Sequence, residues 1–258
     1  MDLHLKDKTV VVTGGSKGIG YAIAKEFLKE GAVVYISGRN KEDLDKAVSE
    51  LKEFGKITGV VTDNSNKSDV DNLAKIAAAE KNRIDVWVNN VGKNKKPDGD
   101  FYTEEQLDDL ISVCFKSTVF GTQAAIPFMK GGGSIVNISS LAARSATCGR
   151  SNIYASMKAA ILAYTSTCAG QFASRKIRVN AVLPGYTRTP LVESGFSAES
   201  LKKLVQGNTV HRMAEPEEIA KPVVFLASDA ASFINAEALE VSAGHNKVLN
   251  PEFSWENQ

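Results

Sequence analysis

Tyr154 and Lys158 stand four residues apart in "SNIYASMKAA" (151–160). On a helix that spacing puts two side chains on one face, one turn apart. A free phenol titrates near about 10 and is a poor acid or base at neutral pH. A neighbouring ammonium favours the phenolate and lowers that value. The pair is therefore either a proton-transfer device or two ordinary helix residues. Tyr-x-x-x-Lys arises easily by chance, so the rest of the chain has to decide.

A second candidate lies near the start. "TGGSKGIG" (13–20) joins a strand-like run, "TVVVTG", to a helix-like one, "GIGYAIAKEFLKEG". Gly14, Gly18 and Gly20 can adopt backbone conformations closed to other residues and let a ligand approach the main chain. With Ser16, Lys17 and Ile19 they open a helix whose free N–H groups and positive dipole end suit a pyrophosphate. The spacing is G-x-x-x-G-x-G rather than G-x-G-x-x-G, so the strand before and the helix after carry the reading. The other reading is a glycine-rich turn with no ligand. In dinucleotide folds an acid at the end of the second strand holds the ribose 2′-hydroxyl. Here "YISGRN" puts Gly38 at that place, followed by Arg39 and Asn40. A carboxylate would repel a 2′-phosphate, whereas arginine grips one in a bidentate manner. With Lys17 as a second cation, the expectation is NADP(H) in preference to NAD(H). The alternative is that Arg39 is merely solvated.

These residues need a scaffold, and β-branched runs alternate with helical patterns along the whole chain. Strands are expected at 9–14, 32–37, 57–63, 84–90, 133–140, 176–185 and 237–244. Asn40 and Ser68 are expected to cap helices, and Thr103 with Gln106 forms a capping box before Leu107, Leu110 and Cys114. Pro216 suits a helix start; Pro222 should kink that helix or mark an irregularity. The alternation implies right-handed crossovers and a doubly wound parallel α/β sheet of about seven strands, covered by helices on both faces. No linker, repeat or low-complexity tract divides residues 1–258, so one domain is expected. Residues 1–130 would mainly bind the dinucleotide, and 131–258 would carry the Tyr-Lys pair. The stretch 185–212 reads as a long irregular lid.

Bulk properties narrow the function classes. The chain has 258 residues, 43% of them hydrophobic, and a formal net charge of +1. That charge gives no basic field for nucleic acid. The start lacks a secretory h-region, and no run of about 18 apolar residues marks a membrane span. Cys114, Cys148 and Cys168 match no zinc or CxxC spacing, so no metal site is expected. So few cysteines, odd in number, suit a reducing cytoplasm.

Taken in order, "TGGSKGIG" (13–20), "NNVG" (89–92), Ser140, Tyr154 with Lys158, and "PGYTRTP" (184–190) resemble the short-chain dehydrogenase/reductase family over essentially the whole length. The resemblance implies a single-domain Rossmann fold and an NADP(H)-dependent oxidoreductase that interconverts a secondary alcohol and a ketone. Tyr154 would act as general acid or base. Lys158 would lower its pKa and bind the nicotinamide ribose. Ser140 would hydrogen-bond the substrate oxygen. Asp63, with Asn64 beside it, looks like the adenine-contacting acid. Asn89, Asn90, Val91 and Gly92 look like the motif that braces the sheet and borders the cofactor, with valine at 91 where alanine is usual. Pro184, Gly185, Thr187 and Thr189 look like the wall around the carboxamide. Relatives of this family are commonly dimers or tetramers, so a homo-oligomer is implied.

One position departs from the family. "SVCFKS" (112–117) puts Cys114 where many relatives carry a catalytic asparagine. That leaves the proton relay in doubt and admits a regulator that kept the fold and lost the chemistry. A third reading is a 3-oxoacyl thioester reductase fed by a carrier protein. Lys93, Lys95, Lys96, Arg144 and Arg150 flank the strand ends and suit either an anionic substrate or a solvated face. Leu191, Val192, Phe196, Leu201, Leu204 and Val205 suit a lid over a bulkier substrate such as a steroid, or an ordinary helix face. His211 and His245 have no partner in view. Phe253 and Trp255 in the tail are candidates to dock on a neighbouring subunit.

Overall fold

The computed structural model describes residues 2–145, 152–245 and 247–256; Cys148 and Arg150 fall outside them. Seven strands form: β1 (Thr9–Val12), β2 (Val33–Gly38), β3 (Ile57–Val61), β4 (Val86–Asn89), β5 (Gly133–Ile138), β6 (Ile177–Pro184) and β7 (Ala238–Val241). All pair in parallel, in the order β3-β2-β1-β4-β5-β6-β7. The winding reverses beside β1, between β1 and β4. In such sheets the crevice beyond the carboxyl ends of those two strands is where ligands bind.

The helices are α1 (Gly18–Lys29), α2 (Lys41–Leu51), α3 (Lys67–Ala78), α4 (Glu104–Ile111), α5 (Ser117–Ala125), α6 (Asn152–Gln171), α7 (Pro190–Gly195), α8 (Ala198–Val205), α9 (Pro216–Ala227) and α10 (Phe253–Glu256). Successive strand residues point to opposite faces, so the apolar runs feed two cores. Val10, Val12, Val34, Ile36, Val86 and Val88 pack with residues of α1, α2 and α9. Val11, Tyr35 and Trp87 pack on the other face with residues of α3, α5 and α6. Because both faces are covered, these strands read as continuous apolar runs.

Local codes act as the residues dictate, with two differences. Asn40 accepts from the Asp43 N–H at 3.0 Å, and Thr103 and Gln106 form the reciprocal box. The third helix, however, is capped by Asn66, which accepts from the Ser68 N–H at 2.9 Å. Asn is at least as good a cap as Ser and stands two residues earlier. The stretch 185–212 is not irregular: Thr189 caps α7 and Ser197 caps α8. Helix α9 carries Pro222 inside it.

On the second face, beside the core of α3, α5 and α6, runs a buried polar chain. The Trp87 indole donates to Asn89 Oδ1 at 2.8 Å. The Asn89 amide donates to Asn137 Oδ1 at 2.8 Å and to Thr122 Oγ1 at 3.1 Å. The Asn137 amide continues to Thr165 Oγ1 at 2.9 Å. These contacts tie β4 and β5 to α5 and α6, the elements that carry the candidate site. Buried and fully partnered, such a network fixes one register. A Cβ on Gly121 would intrude on it, 2.6 Å from the Trp87 indole nitrogen.

Candidate active site

The glycine loop lies at the switch point. Gly14 and Gly18 have φ of 65° and 56°, where side chains are rarely tolerated. A Cβ on Gly20 would collide with the Gly14 carbonyl and stand 2.5 Å from the Asn90 amide. Three contacts hold the loop from neighbouring strands. Gly14 N–H donates to Ser37 Oγ at 3.3 Å, and that hydroxyl donates to Asn64 Oδ1 at 3.1 Å. Asn90 donates to the carbonyls of Thr13 and Gly14 at 3.1 and 3.0 Å. Ser16 Oγ lies beside Gly38, 3.3 Å from where its Cβ would be. Ile19 is packed against the α1 side of the core. Ser37 is a contributor that sequence reasoning missed; it reads there as one more strand residue.

Beyond the loop, Arg39 is exposed, at the end of β2. It helps to lower the pKa of Asp63, behind the larger effect of hydrogen bonds from the Ser65 side chain and N–H. Lys17 is not a free cation: its ammonium pairs with Asp43, in the first turn of α2, at 2.7 Å.

Helix α6 delivers Tyr154 and Lys158 to the carboxyl end of β5. Lys158 is 3% exposed. Its ammonium donates to the Ile138 carbonyl at 2.8 Å and stands 5.8 Å from the Tyr154 ring centroid. Ser139 Oγ donates to the Lys158 carbonyl at 2.8 Å, a contact no motif announced. A Cβ on Gly92 would lie 3.2 Å from the same ammonium, so the "NNVG" turn and Lys158 adjoin. Ser140 stands close enough to Tyr154 to lower its pKa, and it accepts from Ala142 N–H at 3.2 Å, capping a 3-10 turn at Leu141–Ala143. The three residues are thus brought together. The electrostatics differ from the sequence expectation. Burial pushes the Tyr154 phenol up to about 12, against an opposing effect of Ser140 and with a further rise from Cys114. The cost of a dehydrated phenolate outweighs an ammonium that is itself buried and engaged by a carbonyl. Burial also lowers the Lys158 pKa.

Cys114 belongs to this cluster. It lies in a π-helical turn, Ser112–Lys116, between α4 and α5, and is fully buried. Its thiol donates to the Lys93 carbonyl at 3.1 Å and accepts from the Lys93 N–H at 3.5 Å. Single π turns inside helices are often found at functional sites. Here the turn aims residue 114 at the chain leaving β4.

The remaining wall comes from the end of β6. Pro184 is buried there. Gly185 N–H bonds Val241 O at 2.9 Å, and Thr187 Oγ1 donates to Gly185 O at 3.0 Å. A Cβ on Gly18 would meet the Thr189 methyl at 3.2 Å, so this segment closes over the glycine loop. Above it, Tyr186 makes edge contacts with Phe196 and His245, centroids 6.2 and 5.5 Å apart. Trp255 stacks on His211 at 4.8 Å and donates to Thr209 O at 3.1 Å. The tail tryptophan thus packs on its own lid, and neither histidine is solitary. Of the five loop cations, Lys93 pairs with Asp109, Lys95 approaches Asp98 at 3.8 Å and Arg144 meets Glu240 at 2.6 Å. Their neutralisation weakens the case for an anionic substrate.

The residues fit a dinucleotide: a cradle that side chains would fill, at a helix N-terminus, beside a lysine and a tyrosine. Among the described residues no group of His, Cys, Asp and Glu could hold a metal ion, and no helix is long and apolar enough to cross a membrane. The family model described as enoyl-(acyl carrier protein) reductase matches residues 14–246. The chain is 34% identical to a 3alpha-hydroxysteroid dehydrogenase of Mediterraneibacter gnavus, covering 93% of this chain and 98% of that one. It is 33% identical to the 3-oxoacyl-(acyl-carrier-protein) reductase FabG of Thermotoga maritima, covering 94% and 99%. Among solved structures, L-sorbose reductase from Gluconobacter frateurii complexed with NADPH and L-sorbose superposes with a TM-score of 0.89, at 29% identity, over 96% and 100% of the two chains. The chain belongs to the short-chain dehydrogenase/reductase family of oxidoreductases.

Proposed function

We propose that this protein is an NADP(H)-dependent oxidoreductase that interconverts a secondary alcohol and a ketone, working as a single-domain, cytoplasmic homo-oligomer. The observation that carries the reading is the meeting of Ser140, Tyr154 and the buried Lys158 ammonium at the switch point that also holds the glycine cradle. The bound dinucleotide would supply or accept the hydride. Gly14, Gly18 and Gly20 hold its pyrophosphate, Arg39 its 2′-phosphate, Asp63 its adenine, and the Pro184–Thr189 segment its carboxamide. Ser140 donates to the substrate oxygen as negative charge develops there. Tyr154 gives that oxygen its proton, and its raised pKa keeps it protonated at neutral pH. In the oxidative direction Lys158 is the cation that favours the phenolate. Cys114 holds the Lys93 backbone against the cluster.

The NADPH bound to the L-sorbose reductase supports the cofactor choice. The FabG relative supports a second reading, reduction of a 3-oxoacyl thioester. Loss of reduced-nicotinamide absorbance with a panel of sugars, steroids, keto acids and 3-oxoacyl thioesters tests both. Turnover of a free ketone supports the first reading, and turnover of thioesters alone the second. NADPH binding without turnover of any member would leave a regulator that lost the chemistry.

A further inference from the structure

Glu240 lies on β7, beside Leu183 of β6 in the parallel register. Its side chain is only 7% exposed, and two segments converge on it. Arg144 Nη1 meets Oε1 at 2.6 Å, and the Lys247 ammonium meets Oε2 at 3.1 Å. A buried carboxylate stays ionised only when paired. Burial pushes the Glu240 carboxyl up, yet Arg144 and Lys247 together outweigh it and hold it below the usual range. The two cations come from two separate segments of the chain. Arg144 ends the turn that Ser140 caps, its N–H bonded to Leu141 O at 3.0 Å. Lys247 follows the segment to which the lid is sewn: Thr209 bonds Ala243 O through N–H at 3.0 Å and through Oγ1 at 2.9 Å.

We propose that Glu240 is a positioning residue for Ser140, its carboxylate fixing the Ser140 turn through Arg144 and locking that turn to the C-terminal segment through Lys247. The inference rests on the role given to Ser140 above. Without the carboxylate two cations face each other and the turn loses its anchor. Displacement of a catalytic group by about an ångström costs up to about a hundredfold in rate.

The test compares Glu240→Gln and Arg144→Ala, each alone and in a Ser140→Ala background, with the best ketone and NADPH. Glu240→Gln is expected to lower kcat about ten- to a hundredfold, with KM for NADPH within about twofold of the parent. Arg144→Ala should do likewise, and Arg144→Lys should recover most of the loss. In the Ser140→Ala background neither change should reduce kcat further, because the group they position is gone. Unchanged kcat in both single variants, or a full further loss in the Ser140→Ala background, overturns the proposal. Parent-like kcat in Ser140→Ala itself overturns the assigned role of Ser140 and this inference with it.

Discussion

Asn90 is bolted to Gly14: its side-chain amide donates to the Gly14 carbonyl at 3.0 Å and to that of Thr13 at 3.1 Å, while its own N–H donates to Thr13 Oγ1 at 3.0 Å. The end of β4 therefore sets the shape of the loop after β1. Replacing Asn90 by Ala strands two carbonyls of a loop whose conformation is already demanding. The expected result is a loss of NADPH affinity of about tenfold, the scale of one or two such hydrogen bonds. Titration of NADPH fluorescence against the variant measures it; unchanged affinity would show that the loop holds its shape unaided.

Tyr154→Phe is expected to bind NADPH normally and to lose turnover by about two to four orders of magnitude. It also carries a stability signature. The phenol titrates at about 12 in the folded chain and near about 10 when unfolded. Between those values the folded state keeps a proton that the unfolded state releases. The stabilisation is complete below about 10 and is lost as pH climbs towards 12. Urea midpoints at neutral and alkaline pH should therefore fall less steeply for Tyr154→Phe than for the parent, by up to about 1.4 kcal/mol per pH unit.

The proposed preference for NADP(H) turns on Arg39 and on a competition at Lys17. Arg39→Ala should weaken NADPH about tenfold and leave NADH unaffected, since a 2′-phosphate is what a guanidinium grips. Asp43→Asn removes the carboxylate that now occupies Lys17 at 2.7 Å. It should favour NADPH by up to about fivefold, the scale of an exposed ion pair. KM values for the two coenzymes, measured side by side, decide both; an Arg39→Ala variant with undiminished NADPH preference would reassign the 2′-site.

Cys114→Asn should fold and retain or raise turnover. The asparagine side chain offers both a donor and an acceptor, the two functions the thiol supplies to Lys93 O and N–H. A rate collapse with an unchanged melting temperature would reveal a role specific to sulfur.

The sheet and the cradle were legible because they depend on local rules. β-branched runs, glycines between strand and helix, and Thr103 with Gln106 each act through neighbours in sequence. The juxtaposition of Ser140, Tyr154 and Lys158 was legible only through the ordered set of family motifs. What escaped were contacts made by distant segments. Nothing around Lys17 signals Asp43, and nothing in a tail aromatic says that Trp255 will stack on His211. The direction of the Tyr154 shift escaped for a related reason. Spacing reports which charge is near, whereas burial depends on everything packed around the ring.

The π turn at Ser112–Lys116 inserts one extra residue into an otherwise continuous rod. A regular α-helix advances about 100° per residue. Deleting a single amino acid just before Cys114 would restore the regular winding and swing whatever stands at the sulfur's place about a quarter-turn away from the chain at Lys93. The number of residues there, and not only their identity, is thus part of what builds the floor of the candidate site. A one-residue shortening should cripple the enzyme even where every named side chain is kept.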